Sequence, residues 1–117
     1  QWLKKQAKVT AVYYIGLPDH PAFELSKRQA RGFGAMISFK VDSEETAQRI
    51  LSKTELILYA ESLGGVETLI TYPVTQTHAD VPVAEREARG IDGKLLRLSV
   101  GIEAVEDIIN DLEKAMR

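Results

Sequence analysis

The sequence predicts an α+β domain whose mainly antiparallel sheet carries helices on one face. Two kinds of pattern support this fold class. Several segments alternate apolar and polar residues, which is typical of half-buried strands. Other segments repeat apolar residues at helical spacing, and the clearest of them ends the chain. Strands and helices follow one another in irregular order, so a sheet packed against helices is the natural arrangement.

The first part of the chain contains two predicted strands. Residues 1–8 resemble the end of a helix whose beginning is missing. Residues 9–15 alternate as a strand does and are followed by turn residues. Residues 22–31 are mostly good helix formers and predict a short helix. Residues 33–41 show the clearest alternation of the chain and predict a strand with one buried face.

Asp42 marks the predicted start of the next helix. Glu45 follows it by three residues, which is the spacing of a capping box with Asp42 as the capping residue. Apolar side chains then recur at helical spacing, so we expect a helix of about three turns. These residues are Ala47, Ile50, Leu51 and Thr54.

The second half of the chain predicts three more strands, over residues 56–60, 66–72 and 94–100. A short helix is expected at residues 84–89, within a turn-rich region. The last helix has acidic residues near its start and basic ones at its end, an order that complements the helix dipole. Its apolar stripe consists of Val105, Ile108, Ile109, Leu112 and Met116.

Composition restricts the class of protein. The chain has 117 residues, 44% of them hydrophobic, which suits one domain and excludes disorder of the whole chain. Its formal net charge of -2 argues against a nucleic-acid-binding surface. No apolar run reaches the roughly 18 residues of a membrane span. The absence of cysteine favours a reducing cytoplasm.

Candidate chemistry is sparse. His20 and His78 lie far apart in predicted loops. His78 and Asp80 together would supply two ligands, fewer than the three or four that a zinc site needs, so we expect no metal site. No complete catalytic constellation is visible. Arg97 is more informative because leucines flank it in a predicted strand, where it shares a face with Leu95 and Ser99. It is either a solvent-facing strand residue or a partly buried anchor for a carboxylate.

The segment Ser62-Leu63-Gly64-Gly65 is the second candidate, because it lies between two predicted strands. Paired glycines allow a sharp turn or a close approach to a ligand. A plain connecting turn is the alternative interpretation. Glu61, just before the segment, could be an ordinary charge at a strand end.

Three stretches of the chain together resemble the pyridoxal-phosphate (PLP) enzymes of cysteine and methionine metabolism. This family includes the cystathionine synthases and lyases and the methionine γ-lyases. The resemblance covers nearly the whole chain in the same order. The stretches are Tyr14-Ile15-Gly16-Leu17-Pro18-Asp19-His20-Pro21 with residues 32–39, Ala60-Glu61-Ser62-Leu63-Gly64-Gly65-Val66-Glu67, and Thr77-His78-Ala79 with Gly90-Ile91 and residues 96–103.

The resemblance implies roles for matching positions. Arg97 would bind the α-carboxylate of the substrate, a sulfur-containing amino acid. Ser62 would line the same pocket, and Glu61 would contact the distal amino group of a cystathionine-like substrate. His78 matches the family without an assignable step. The family's cofactor lysine, in a Ser-x-Thr-Lys setting, has no counterpart in this sequence.

The resemblance therefore implies that residues 1–117 are the small C-terminal domain of a larger fold-type I (aspartate aminotransferase-like) enzyme. PLP would be bound mainly by a preceding domain, and residues 1–117 alone would be inactive. The larger enzyme is expected to be a cytoplasmic homotetramer. The first residue, Gln1, fits a piece of a longer chain. The alternative is a sensing or oligomerisation module that binds an amino acid through Arg97.

Overall fold

In the part of the chain that the computed structural model describes, residues 1–62, 64–76 and 78–117, a five-stranded sheet is combined with four α-helices. The strands are β1 (Val9–Tyr13), β2 (Met36–Val41), β3 (Leu58–Tyr59), β4 (Leu69–Thr71) and β5 (Leu95–Ser99). The helices are α1 (Phe23–Gln29), α2 (Glu44–Lys53), α3 (Val83–Ala88) and α4 (Val105–Met116). Each expected strand and helix after residue 8 is thus present, with shorter bounds for most of them.

The sheet has the strand order β1-β2-β5-β4-β3. The pairs β1–β2, β2–β5 and β4–β5 are antiparallel, whereas β3 and β4 are parallel. The α+β class is confirmed, and the sheet is mixed rather than purely antiparallel. The parallel pair arises because the loop after β3 returns the chain to the same end of the sheet before β4 begins.

One face of the sheet forms the hydrophobic core with α2 and α4. Phe39 of β2 and Leu96 of β5 are directly paired and fully buried, and Ile70 of β4 lies opposite Leu98. The helices α2 and α4 contact each other over this face and contribute further buried side chains to the core. Helices α1 and α3 have no buried residue, so the expected helical layer on one face consists of α2 and α4.

The first residues differ from the expected helix end. Leu3–Lys5 form a single 3₁₀ turn, and Leu3 is buried in the core because Trp2 and Leu3 lie close to the β1 side of the sheet. The expected regular alternation of β1 is also interrupted. The register shifts between Val9 and Ala11, so that Val9 and Val12 pack against the core while Tyr13 is exposed. A β-bulge of this kind moves the following side chains to the other face.

The capping prediction for α2 is wrong by one residue. Ser43 is the N-cap, and its Oγ accepts a hydrogen bond from the backbone N–H of Thr46 at 3.1 Å. Asp42 instead accepts a 2.6 Å hydrogen bond from the Thr46 hydroxyl. This bond and the nearby Lys8 ammonium hold the pKa of the Asp42 carboxyl below its usual range.

Asp111 connects α4 to the segment that follows α2. Its carboxylate is buried and accepts hydrogen bonds from the backbone N–H groups of Glu55, Leu56 and Ile57, at 2.9, 3.1 and 2.9 Å. Because these amides precede β3, the carboxylate fixes the path of the chain from the helical layer into the sheet. Within the described ranges, no helix is long and apolar enough to cross a membrane.

Candidate functional site

A cavity of about 480 Å³ lies on the side of the sheet opposite the helical layer. Strands β2, β4 and β5 form its floor, and the loop after β3 forms one wall. Its described lining combines hydroxyl groups, one acid, one base and a few apolar side chains: Met36, Ala60, Glu61, Ser62, Leu69, Thr71, Arg97 and Ser99. We refer to it as the sheet cavity.

Arg97 lines the sheet cavity from β5, the central strand of the sheet. It pairs with Ser38 of β2 and with Thr71 of β4, and residues paired across strands share a face. Its neighbours Leu96 and Leu98 point into the core on the other side. Arg97 is therefore partly buried on the non-core face, where it lines a cavity rather than open solvent. This position argues against a fully solvent-facing side chain, and the role of Arg97 as an anchor stays a prediction.

The guanidinium of Arg97 has no charge partner in the described part of the chain. None of the ion pairs formed by the described residues includes it, and neither does any side-chain hydrogen bond there. Partly buried cations normally have an anionic or hydrogen-bonding partner, since desolvation is costly. The fork of N–H donors is thus available to a planar anion such as a carboxylate.

Glu61 and Ser62 line the same sheet cavity as Arg97, as the sequence analysis expected for one site. Both follow Ala60, whose N–H donates to the carbonyl of Ile70 at 3.3 Å and so attaches the loop to β4. Gly64 has φ +75°, in the left-handed region that favours glycine. Leu63, also part of the predicted segment, lies outside the described residues.

The cavity also contains residues that the sequence analysis did not assign to a site. Thr71 lies directly opposite Arg97, and Met36 lies directly opposite Ser99 at the far end of β2. Only the pairing of strands brings these residues together, and the pairing cannot be derived from periodicity. Ser99 was recognisable as a face-sharing neighbour of Arg97, although not as a cavity residue.

The two histidines are not among the residues that line the cavity. His20 Nδ1 accepts a hydrogen bond from the Ala22 N–H at 3.1 Å, within a local turn, and the backbone N–H of His78 donates to the Pro73 carbonyl at 2.9 Å. Among the residues that the structure describes, no group of three or more His, Asp or Glu side chains is arranged to hold a metal ion.

Pyridoxal phosphate is normally attached to its enzyme through a lysine Schiff base. The described lining of the sheet cavity contains no lysine. These residues therefore do not fit covalent attachment of that cofactor.

The fold and the cavity define a class of domain: an α+β unit whose open sheet face carries a cavity lined by an arginine that has no charge partner among the described residues. Comparison with known sequences makes the class specific. The model of the family of Cys/Met metabolism PLP-dependent enzymes matches residues 1–117. The chain belongs to this family.

Individual relatives include enzymes of several activities. The chain is 52% identical over 118 residues to a cystathionine beta-lyase of Coxiella burnetii, covering 99% of this chain and 30% of that protein. A crystal structure of cystathionine gamma synthase from Xanthomonas oryzae, in complex with aminoacrylate and cysteine, superposes with a TM-score of 0.90 at 43% identity. A cystathionine gamma-lyase from Lactobacillus plantarum, complexed with L-serine, gives a TM-score of 0.90 at 44% identity.

The structural matches cover 98% and 97% of this chain and 30% of each of those chains. The chain thus spans about 30% of the length of the relatives it matches.

Proposed function

We propose that residues 1–117 act as the C-terminal, substrate-carboxylate-binding domain of a longer PLP-dependent enzyme that makes or breaks carbon–sulfur bonds. The observation that carries the proposal is the partly buried Arg97 in the sheet cavity, whose guanidinium has no charge partner among the described residues. The family membership and the 30% share of the relatives' length support the placement in a larger enzyme of fold type I. In this enzyme PLP is bound mainly by residues outside the present chain, so that the chain alone is inactive.

In this proposal Arg97 binds the α-carboxylate of a sulfur-containing amino acid. A guanidinium can form two parallel hydrogen bonds with a carboxylate, which fixes the orientation of the substrate as well as its position. Ser62 lines the same cavity and supplies a hydroxyl near the carboxylate. Orientation of this kind lowers the barrier, because the reacting bond is then aligned before the reaction begins. When bound, the cofactor supplies the electron sink for the bond changes.

Glu61 gives the proposed site its substrate preference. It is the acidic residue among the described residues that line the cavity, and Arg97 is the basic one. A cavity with one base and one acid suits a ligand that carries a carboxylate and, further along, an ammonium group. Cystathionine has this distal amino group and cysteine does not. We therefore assign Glu61 to the distal amino group of cystathionine.

Family membership over residues 1–117 favours the enzyme over the alternative of an amino-acid-sensing or oligomerisation module. As in the sequence analysis, we expect the longer enzyme to be a cytoplasmic homotetramer.

The test is a comparison of Arg97→Lys with wild type in the full-length enzyme. Lysine keeps the charge but loses the fork, and one lost charge-assisted hydrogen bond of about 1.5–3 kcal/mol corresponds to roughly a 10- to 150-fold decrease in kcat/KM. The assay measures the cleavage or formation of cystathionine through the change in free thiol concentration. Arg28→Lys, at an exposed position of α1, is the matched control and should retain wild-type kinetics.

Two outcomes would contradict the proposal. Wild-type kcat/KM in Arg97→Lys would remove Arg97 from the substrate site. For Glu61, the Glu61→Gln variant should lose activity with cystathionine and keep its activity with cysteine. An unchanged ratio between these two substrates would remove Glu61 from the site and leave the assignment of Arg97 intact.

A further inference from the structure

The loop between β3 and β4 carries two of the three proposed substrate-binding residues. Glu61 and Ser62 are exposed, and within the described part of the chain their side chains take part in no hydrogen bond or ion pair. Their positions must therefore be set by the ends of the loop. At its start, Ala60 is attached to β4 through the Ile70 carbonyl. At its end, the loop is attached to the segment that follows β5, through residues that do not line the cavity.

Thr68 and Glu103 form the centre of this second attachment. The carboxylate of Glu103 accepts two hydrogen bonds of 2.7 Å, one from the Thr68 backbone N–H and one from the Thr68 hydroxyl. The hydroxyl oxygen in turn accepts a 2.8 Å hydrogen bond from the N–H of Gly101. The Thr68 hydroxyl thus donates one hydrogen bond and accepts another, and Thr68 itself is completely buried.

The backbones of the two segments approach closely beside this network. The Ile102 N–H donates to the Val66 carbonyl at 2.9 Å. A Cβ atom on Gly101 would collide with that same carbonyl oxygen, so only glycine permits this approach. The two Thr68 hydrogen bonds also hold the pKa of the Glu103 carboxyl below its usual range. An ionised Glu103 accepts both bonds at once, which strengthens the attachment at neutral pH.

The attachment is connected to the sheet cavity through the chain itself. Thr68 immediately precedes Leu69, which lines the cavity, and Ser99 lines it two residues before Gly101. The network therefore links the strand that carries Arg97 to the loop that carries Ser62. A displacement of this loop would remove the preorganised contacts that Glu61 and Ser62 offer to a substrate and would lower the affinity for it.

We propose that Thr68 and Glu103 are positioning residues, which act through the loop to hold Glu61 and Ser62 over Arg97 in a geometry that binds substrate. The proposal rests on the function proposed above. The hydrogen-bond network serves substrate binding as well as stability, because it connects β5 with the loop between β3 and β4, and both line the cavity.

The experiment uses the full-length enzyme and compares three threonine variants. Thr68→Val keeps the side-chain shape and removes the hydroxyl, whereas Thr68→Ser keeps the hydroxyl. Thr46→Val is the matched control, because Thr46 is equally buried and its hydroxyl also donates to a carboxylate, that of Asp42, at the start of α2. Thr46 does not line the sheet cavity.

We expect Thr68→Val to raise the KM for cystathionine by about tenfold while kcat changes by less than about threefold, since a positioning hydrogen bond is lost. Thr68→Ser should restore KM, and Thr46→Val should leave it unchanged even if it lowers the melting temperature. Should Thr68→Val not fold, Glu103→Gln tests the same network, because it removes the charge and keeps one acceptor oxygen. The same rise of KM, smaller in size, is then expected.

Wild-type KM in folded Thr68→Val or folded Glu103→Gln would overturn the proposal. An equal rise of KM in Thr46→Val would also overturn it, because the effect would then be one of stability. Arg97→Lys, measured beside them, separates the two proposals. If Arg97→Lys is impaired and Thr68→Val is not, only the positioning role fails. If Arg97→Lys has wild-type kinetics, the substrate site itself is misassigned.

Discussion

Replacement of Asp111 by alanine should destabilise the domain more than any exposed substitution in the same helix. The carboxylate is the acceptor for three consecutive backbone N–H groups, those of Glu55, Leu56 and Ile57. Alanine would leave all three without this partner. The N–H of Ile57 is buried with its residue, whereas those of Glu55 and Leu56 are nearer to water and can be partly rehydrated.

The expected loss follows from this difference in burial. A buried donor left unsatisfied costs about 1–3 kcal/mol, and each hydrogen bond to a charged group contributes about 1.5–3 kcal/mol. One full penalty and two partial ones give a loss of roughly 3–5 kcal/mol. A domain of this length has a total stability of about 6–17 kcal/mol. Asp111→Asn should lose less, because its amide oxygen still accepts, although its NH₂ group faces donors.

Urea unfolding measures this loss, with the fluorescence of Trp2 as the probe. Trp2 is the single tryptophan and packs against the core, so its emission reports global unfolding. Asn110→Ala is the control, since Asn110 is the exposed neighbour in α4. We expect the order of stability to be wild type and Asn110→Ala, then Asp111→Asn, then Asp111→Ala. A loss below about 1 kcal/mol in Asp111→Ala, no greater than in the control, would refute the reasoning.

Two further predictions concern backbone positions. Gly101→Ala should lower the free energy of unfolding by about 1–3 kcal/mol, because the new Cβ atom would collide with the Val66 carbonyl. Gly32→Ala should be nearly neutral, because the space around its Cβ position is open. Equal effects of the two substitutions in urea unfolding would contradict the close approach at Gly101. Ser43→Ala should lower the free energy of unfolding by about 1 kcal/mol in the same assay, because the N-cap of α2 is lost. A neutral result would show that Ser43 is not the residue that caps α2.

Much of the fold could be predicted because each of its main strands has one buried face and one more exposed face. The alternation in β2 and β5 arises from burial of Phe39 and Leu96 on the core side, and it correctly placed Arg97 on the other side. The same alternation failed in β1, where the bulge after Val9 reverses the faces. A bulge depends on pairing with β2, and no local property of the sequence indicates it.

Polar residues inside the core were harder to predict. Asp111 falls among the buried positions of α4 but was not recognised, because a periodicity analysis counts only apolar residues. Its partners are backbone amides more than 50 residues away, which have no sequence signature. The attachment of Thr68 to Glu103 was missed for the same reason. By contrast, the resemblance to family motifs had put Glu61, Ser62 and Arg97 in one site. The three residues line one cavity, and their roles stay predictions.

The position of β5 in the sheet has a consequence for synthesis on the ribosome. It is the last strand in sequence and the central strand in space, where it separates β1–β2 from β4–β3. Until it emerges, the other described strands of this domain form two separate pairs, and isolated pairs are at best marginally stable in water. The edges of β2 and β4 stay open to intermolecular pairing during that interval. Formation of the cavity and closure of both edges are therefore the same late event, which occurs when Leu95–Ser99 inserts.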